Sequence, residues 1–416
     1  MLGHALVGAC TGVPTGVPTG VLKGVMTGVL KGVLTGVMTG VLTAVLALPL
    51  NGAASATHTV APGQSLSDAL KRAADGDEIH LLAGEHRVQA AVIEHKRLTL
   101  RGVGGRPVLL AAGAHAEGKA ILVVRNGEVL IDNIEFRGAR VPDGNGAGIR
   151  FERGHLRVSR CAFIDNQNGI LTANFADAEL TVQDSDFGQA PVGTSLPHLL
   201  YAGRIARLTL SGSRFSGGAQ GHLVKSRARE NHVRYNQLVD GADGRAGYEL
   251  EFPNGGLAYV VGNVIGQSSG SSNATMLAFG AEGSTETAHA LHVVNNTFIN
   301  QGLRPAIFVR VHESRLAGTV EQRLANNLFL GLGVPDATLA DLARGNFIAS
   351  PSVLQDADLG PYSLHPMSPL RGRGVEPGTA RGVDLQPRAA FTPPVGTRTM
   401  RPRAPGESWS PGAYQD

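Results

Sequence analysis

The chain has 416 residues, 56 of them Gly but only 13 Phe, 6 Tyr and 1 Trp, so its apolar content rests on Val, Leu, Ile and Ala. That mixture suits many short strands and excludes a fold built on a few large aromatic cores. Residues 1–56 hold Lys23 and Lys31 and no acid, so the 37 basic and 34 acidic residues of the whole chain become 35 and 34 beyond them. A near-neutral protein lacks the excess of Lys and Arg that non-specific nucleic-acid binding requires.

From Thr11 the sequence repeats a tetrapeptide of the TGVL or KGVM type, then enters an apolar run from Val41 to Leu50 and the small-residue site Ala54-Ser55-Ala56. This pattern reads as a signal peptide cut before Thr57, which predicts a secreted or periplasmic protein. Gly at every fourth position and so short an apolar run argue against a stable membrane span. Cys10 lies in this leader, which leaves Cys161 without a partner and the mature chain without an intramolecular disulfide.

After Thr57 one amphipathic helix precedes short strands. Ser65 or Ser67 can cap a helix whose Leu66, Leu70 and Ala73 share a face, with Gly76 ending it. A lid of this kind protects the open end of stacked coils, where strand edges and apolar surface would otherwise be exposed.

Beyond Ala120 a motif recurs: a small or amide residue, any residue, then a large apolar one. It begins at Ile134, Cys161, Ser185, Ser213, Asn236, Asn263, Asn296 and Asn327, with spacings from 23 to 33 residues. A period in that range, with runs of alternating Val, Leu and Ile between Gly and Asn corners, marks a solenoid. Stacked Asn side chains can bond along the ladder, and the Phe residues fill the interior below them. With the GDEIHLLAG opening and the YSLHPMSPLRGRG ending, the chain from Thr57 to Asp416 resembles bacterial pectin-lyase-like proteins. The resemblance implies a right-handed parallel β-helix over residues 57–350, with residues 351–416 as an extension packing on it.

Residues 198–251 carry the candidate chemistry. His198 and His222 are 24 apart, as are Tyr201 and Lys225, so each pair occupies equivalent places on adjacent coils. Strand alternation puts Lys225, Arg227, Glu249 and Glu251 outward, and gives His198 and His222 the parity of inward residues. Between His198 and Arg229 stand Arg204, Arg207, Arg214, Lys225, Arg227 and Arg229 with no Asp or Glu, which reads as an anion-binding strip. A shallow groove with that field fits an acidic, uronate-containing polysaccharide. Its eliminative cleavage needs a carboxylate neutraliser, a base for the C5 proton and an acid for the leaving oxygen, which Lys225, Arg227, Tyr201 and His222 can supply. His198, Arg204, Arg229, Glu249 and Glu251 are the candidate binding residues, and Glu282 is placed to reach the groove edge.

The stretch HLVKSRAREN to YELEFPNGG is also similar to the chondroitinase B and alginate lyase group. That resemblance implies that Lys225 is the base. Glu251 and Phe252 stand where the group carries its arginine acid, leaving Arg227 or Tyr201 for that role. Glu249 or Glu251 would orient the basic cluster or hold a cation, Ca2+ in that group. Two other readings fit the same residues: a glycoside hydrolase using Glu249 and Glu251, whose spacing suits paired carboxylates, and a non-catalytic glycan-binding or surface-structural β-helix.

Overall fold

The computed structural model describes residues 55–415, apart from residues 89–90, 95, 194–195, 337, 356–361 and 405. The leader, save Ser55 and Ala56, lies outside the described residues. Three parallel sheets of 11, 10 and 11 strands wind into a β-solenoid. Each coil places one strand in sheet A, one in sheet B and one in sheet C in turn; Arg207–Ser211, Arg214–Phe215 and His222–Ser226 make up one such coil. Every strand inside a sheet therefore bonds to the preceding and following coils, and the core is a single apolar column enclosed by the three sheets.

The corner from A to B follows one rule along the molecule. A residue in the left-handed region, such as Asn133, Arg160, Asp184, Tyr235, Asn295 or Asn326 (φ 49° to 57°), turns the chain. The next residue points inward and joins the ladder. The backbone N–H of Cys161 donates to Ser185 Oγ (3.1 Å), that of Ser185 to Ser213 Oγ (3.2 Å), and that of Ser213 to Asn236 Oδ1 (3.0 Å). From Asn236 the same bond runs through Asn263, Asn296 and Asn327 at 2.9, 2.9 and 3.0 Å, and the Nδ2 groups donate along the same path. Asn346 ends the ladder, accepting from Asn327 N at 2.8 Å. It opens another copy of the motif, but only 19 residues after Asn327, which hides it from a search for a regular period. Just past these corners the rings of Phe136, Phe163, Phe187 and Phe215 stack at 4.5 to 5.1 Å.

The lid helix is Leu66–Arg72, capped by Ser65 Oγ, which accepts from Asp68 N at 3.1 Å. It buries Leu66, Ala69 and Leu70. It stops earlier than Gly76: Ala73 is already extended, and Lys96 Nζ takes the carbonyls of Leu70 (2.8 Å) and Ala73 (2.5 Å). Among the described residues no helix is long and apolar enough to cross a membrane.

Beyond residue 350 the chain runs back over the outside of the solenoid. Leu354, Leu364, Ala413 and Tyr414 pack on Val264, Ile299, Leu328 and Leu330 of sheet B, and Ala380 and Leu385 pack on Tyr259, Val261 and Val294 of sheet A. Corner amides hold this tail: Asn295 Nδ2 donates to Ser410 O (3.0 Å), and Asn326 Nδ2 to Val375 O (2.7 Å). Neither of these apolar contacts involves the outer face of sheet C, where the candidate residues gather.

Candidate functional site

Strands of sheet C open with a break in alternation. Leu199 and Leu200 are consecutive and both join the core, as do Leu223 and Val224. The backbone ladder pairs His198 with Asn168, Leu200 with Val224, Tyr201 with Lys225, His222 with Tyr248 and Lys225 with Glu251, passing over the additional inward residue. Two expectations from simple alternation are thereby corrected. His198 and His222 lie on the outer face with Tyr201 and Lys225, because two inward residues separate them from it rather than one. Glu249 lies inside, in the place that Leu223 and Met276 take on the neighbouring coils.

Glu249 is fully buried; Gln267 Nε2 lies 3.5 Å from its Oε2, and its Oε1 has no hydrogen-bond partner among the described residues. Burial pushes its carboxyl well above the ordinary value, and the nearby Asp240 carboxyl adds to the effect. Glu249 is therefore neither a groove residue nor half of a carboxylate pair with Glu251.

On the outer face the side chains converge tightly. Arg227 Nε donates to Tyr201 Oη (2.8 Å), its Nη1 to Asn254 Oδ1 (2.6 Å), and its Nη2 meets Glu282 Oε2 (2.6 Å). Lys225 Nζ lies 2.9 Å from Glu282 Oε1 and 3.2 Å from Glu251 Oε2, about 5.8 Å from the centre of the Tyr201 ring. Two carboxylates thus face the Lys225 ammonium and offset the cationic crowding that the sequence suggested. Glu251 is nearly buried; burial raises its carboxyl, and the adjacent Lys225 opposes the rise. Burial also acts to raise Glu282, but hydrogen bonds from Lys225 and Arg227 prevail and hold it below the usual range.

The histidine rings stack at 4.7 Å, with Tyr201 edge-on to His198 and Tyr248 edge-on to His222. His198 Nδ1 accepts the backbone N–H of His222 (3.0 Å), which leaves Nε2 as the protonated ring nitrogen of the neutral form. Burial, then repulsion from Lys225 and Arg227, pushes His198 down to about 3. His222 is likewise held well below its ordinary value by burial, His198 and the same cations, and its Nδ1 lies 3.5 Å from Glu251 Oε2. Both rings are neutral at pH 7.

The expected basic strip is dispersed, because one segment of a coil visits all three faces. Arg207 lies on sheet A against Glu230 (3.2 Å) and Glu179 (3.7 Å), and Arg214 on sheet B against Asp186 (2.6 Å). Arg204 and Arg229 stand exposed at the corner from C to A. Lys225 and Arg227 alone of the six reach the cluster, and acids from later coils meet them. A cation site on Glu249 and Glu251 does not fit either: Glu249 faces the core and the Lys225 ammonium occupies the free side of Glu251. Among the described residues no three His, Cys, Asp or Glu converge as metal ligands.

Asn254 was not among the expected site residues, and Glu282 was expected only at the groove edge. With Arg227 they occupy the turns that follow the sheet C strands His222–Ser226, Tyr248–Phe252 and Thr275–Phe279 on successive coils, a recurrence visible once the coils are aligned.

Three parallel sheets and an inward amide ladder define the fold: a parallel β-helix. The chain is similar to the crystal structure of pectate lyase Pel9A, with a TM-score of 0.51 and 16% identity, covering 86% of this chain and 96% of that one. A likeness at this identity shows the fold, which lyases, hydrolases and non-catalytic β-helices share. No family model and no curated protein matches the sequence.

Proposed function

We propose that the chain is an exported polysaccharide lyase that cleaves a uronate-containing glycan by β-elimination on the outer face of sheet C. The observation that carries this reading is the contact of Tyr201, Lys225, Arg227 and Glu282, drawn from three coils into one cluster. Arg227 neutralises the sugar carboxylate, which acidifies the C5 proton. Lys225 is the ammonium partner of Arg227 while the sugar carboxylate docks. It then passes a proton to the adjacent Glu251 carboxylate, 3.2 Å away, and the resulting amine takes the C5 proton while Arg227 keeps the sugar carboxylate. The C5 electron pair forms the C4–C5 double bond as the C4–O bond breaks. Tyr201 protonates the departing oxygen; its own oxygen accepts from Arg227 Nε, which leaves its O–H free to donate. His198 and His222, uncharged, offer ring N–H groups to sugar hydroxyls.

The hydrolase alternative loses the pair on which it rested, since Glu249 lies in the core. Incubation with a panel of uronate polymers tests the proposal: ultraviolet absorbance of unsaturated uronate ends should rise. New reducing ends without that absorbance would replace elimination with hydrolysis, and binding without cleavage would leave a glycan-binding β-helix.

A further inference from the structure

The Glu282 carboxylate has the form of a bound ligand. Its two oxygens are divided between two cations, Oε1 on Lys225 Nζ at 2.9 Å and Oε2 on Arg227 Nη2 at 2.6 Å. This two-point grip on a planar carboxylate is the geometry in which cations recognise carboxylate ligands. The backbone beneath it is fixed. Glu282 N donates to Pro253 O (2.8 Å), Gly283 N to Gly280 O (3.1 Å), and Asn254 Nδ2 to Gly283 O (2.7 Å). Gly280 and Gly283 have φ of +81° and +77°, and a Cβ on either would collide with Leu316 or with the carbonyl of Arg315. The side chain itself remains 43% exposed, so rotation about its own bonds carries the carboxylate into solvent while the turn stays in place. Lys225 and Arg227, by contrast, are only 11% and 15% exposed and are held from below by Glu251, Tyr201 and Asn254.

We propose that Lys225 and Arg227 form a carboxylate receptor, that Glu282 fills it in the free protein, and that a sugar carboxylate binds by displacing Glu282. The identity of the carboxylate as part of a sugar rests on the function proposed above; the exchange itself does not. Binding is then an exchange of one carboxylate for another. A neutral sugar has no carboxylate to exchange and leaves Glu282 on its two cations, so the exchange is confined to acidic units. A tethered side chain competes at an effective concentration in the millimolar range, so its removal should tighten binding of a carboxylate by about tenfold or more.

Two probes test this on the full chain. In the first, acetate is titrated while the melting temperature is followed. Glu282→Ala leaves the two cations without their bridging carboxylate, and acetate should restore its melting temperature saturably, with little specific effect on wild type or on the Glu282→Ala/Arg227→Ala double variant. Equal acetate responses in all three proteins would overturn the receptor. Should Glu282→Ala show no melting transition, the isosteric, uncharged Glu282→Gln takes its place. In the second, calorimetry measures oligogalacturonate and the same oligomer with its carboxyls reduced to alcohols. Glu282→Ala should bind the acidic oligomer about tenfold more tightly than wild type and the reduced one no better. Equal gains for both oligomers would overturn the exchange. Rescue by acetate with no binding of any uronate would uphold the receptor and reject the glycan as its ligand.

Discussion

Lys225 lies between two carboxyls of opposite character, Glu251 raised by burial and Glu282 lowered by its cationic partners. Lys225→Ala should abolish product formation, and Lys225→Arg should fail nearly as badly if the side chain is a base, because a guanidinium keeps its proton near neutral pH. Comparison of kcat/KM for the two variants decides: high activity in Lys225→Arg would make the residue a binder, and full activity in Lys225→Ala would remove the site from catalysis. As Lys225 is buried against Glu251, the alanine variant should also lose on the order of 1–3 kcal/mol of stability, in contrast to the exposed residue that alternation suggested. Glu249 gives a separate pH signature. Its folded carboxyl titrates above its unfolded value, so the neutral form contributes fully below the ordinary carboxyl range and that stability is lost as pH rises toward the folded value. Glu249→Gln should therefore raise the melting temperature relative to wild type more at pH 8 than at pH 4.5. A difference independent of pH would show that Glu249 does not titrate in the folded state.

At the scale of the element, the A-to-B corner does most to specify the fold. A left-handed residue followed by an inward amide places Oδ1 against the backbone N–H of the previous coil, as Asn296 does for Asn263 and Asn327 for Asn296. Asn263→Ala and Asn296→Ala should each cost about 1–3 kcal/mol, because the neighbouring amides are left unpaired in the core; unchanged melting temperatures would remove the ladder as a source of stability. This element was legible in the sequence because its signal is local, one residue type at one place per coil. The C strands were less so. Period-two reasoning placed Tyr201 opposite Lys225 and both outward, as they stand. It failed at Leu199-Leu200 and Leu223-Val224, where consecutive apolar residues both turn inward and reverse the assignment of everything before them. Double apolar residues at equivalent places on adjacent coils were the available cue. The partners of the basic residues were hidden for another reason: Glu282 lies 57 residues from Lys225, a distance that only a coil-by-coil alignment converts into contact.

Across the whole molecule, acid and base groups oppose one another in their response to pH. His198 and His222 titrate below their unfolded values, so the stability they contribute is present above the ordinary histidine range and lost as pH falls below about 6.5, for His198 toward about 3. Glu249 acts in the other direction, and replacement of both histidines by Phe should shift the pH of greatest stability downward in thermal melts; an unchanged optimum would assign the acid limb to other groups. The C-terminal extension sets a further property. It reaches back 153 residues, from Arg388 N to Tyr235 Oη at 2.9 Å, and 115 residues, from Ser410 O to Asn295 Nδ2 at 3.0 Å. A chain ending at residue 350 should expose Val264, Ile299, Leu328 and Tyr259 and bind a hydrophobic dye that the full protein excludes. A chain synthesised from its N-terminus can add coils one upon another, each complete against the last. The coils around Tyr235 and Asn295 stay unfinished on their outer side until the last stretch of chain arrives. Order in time is thus built into the topology: the lid helix is made before the coils it covers and the clasp after the coils it closes, so a molecule truncated between them should carry a sticky flank that marks it as incomplete.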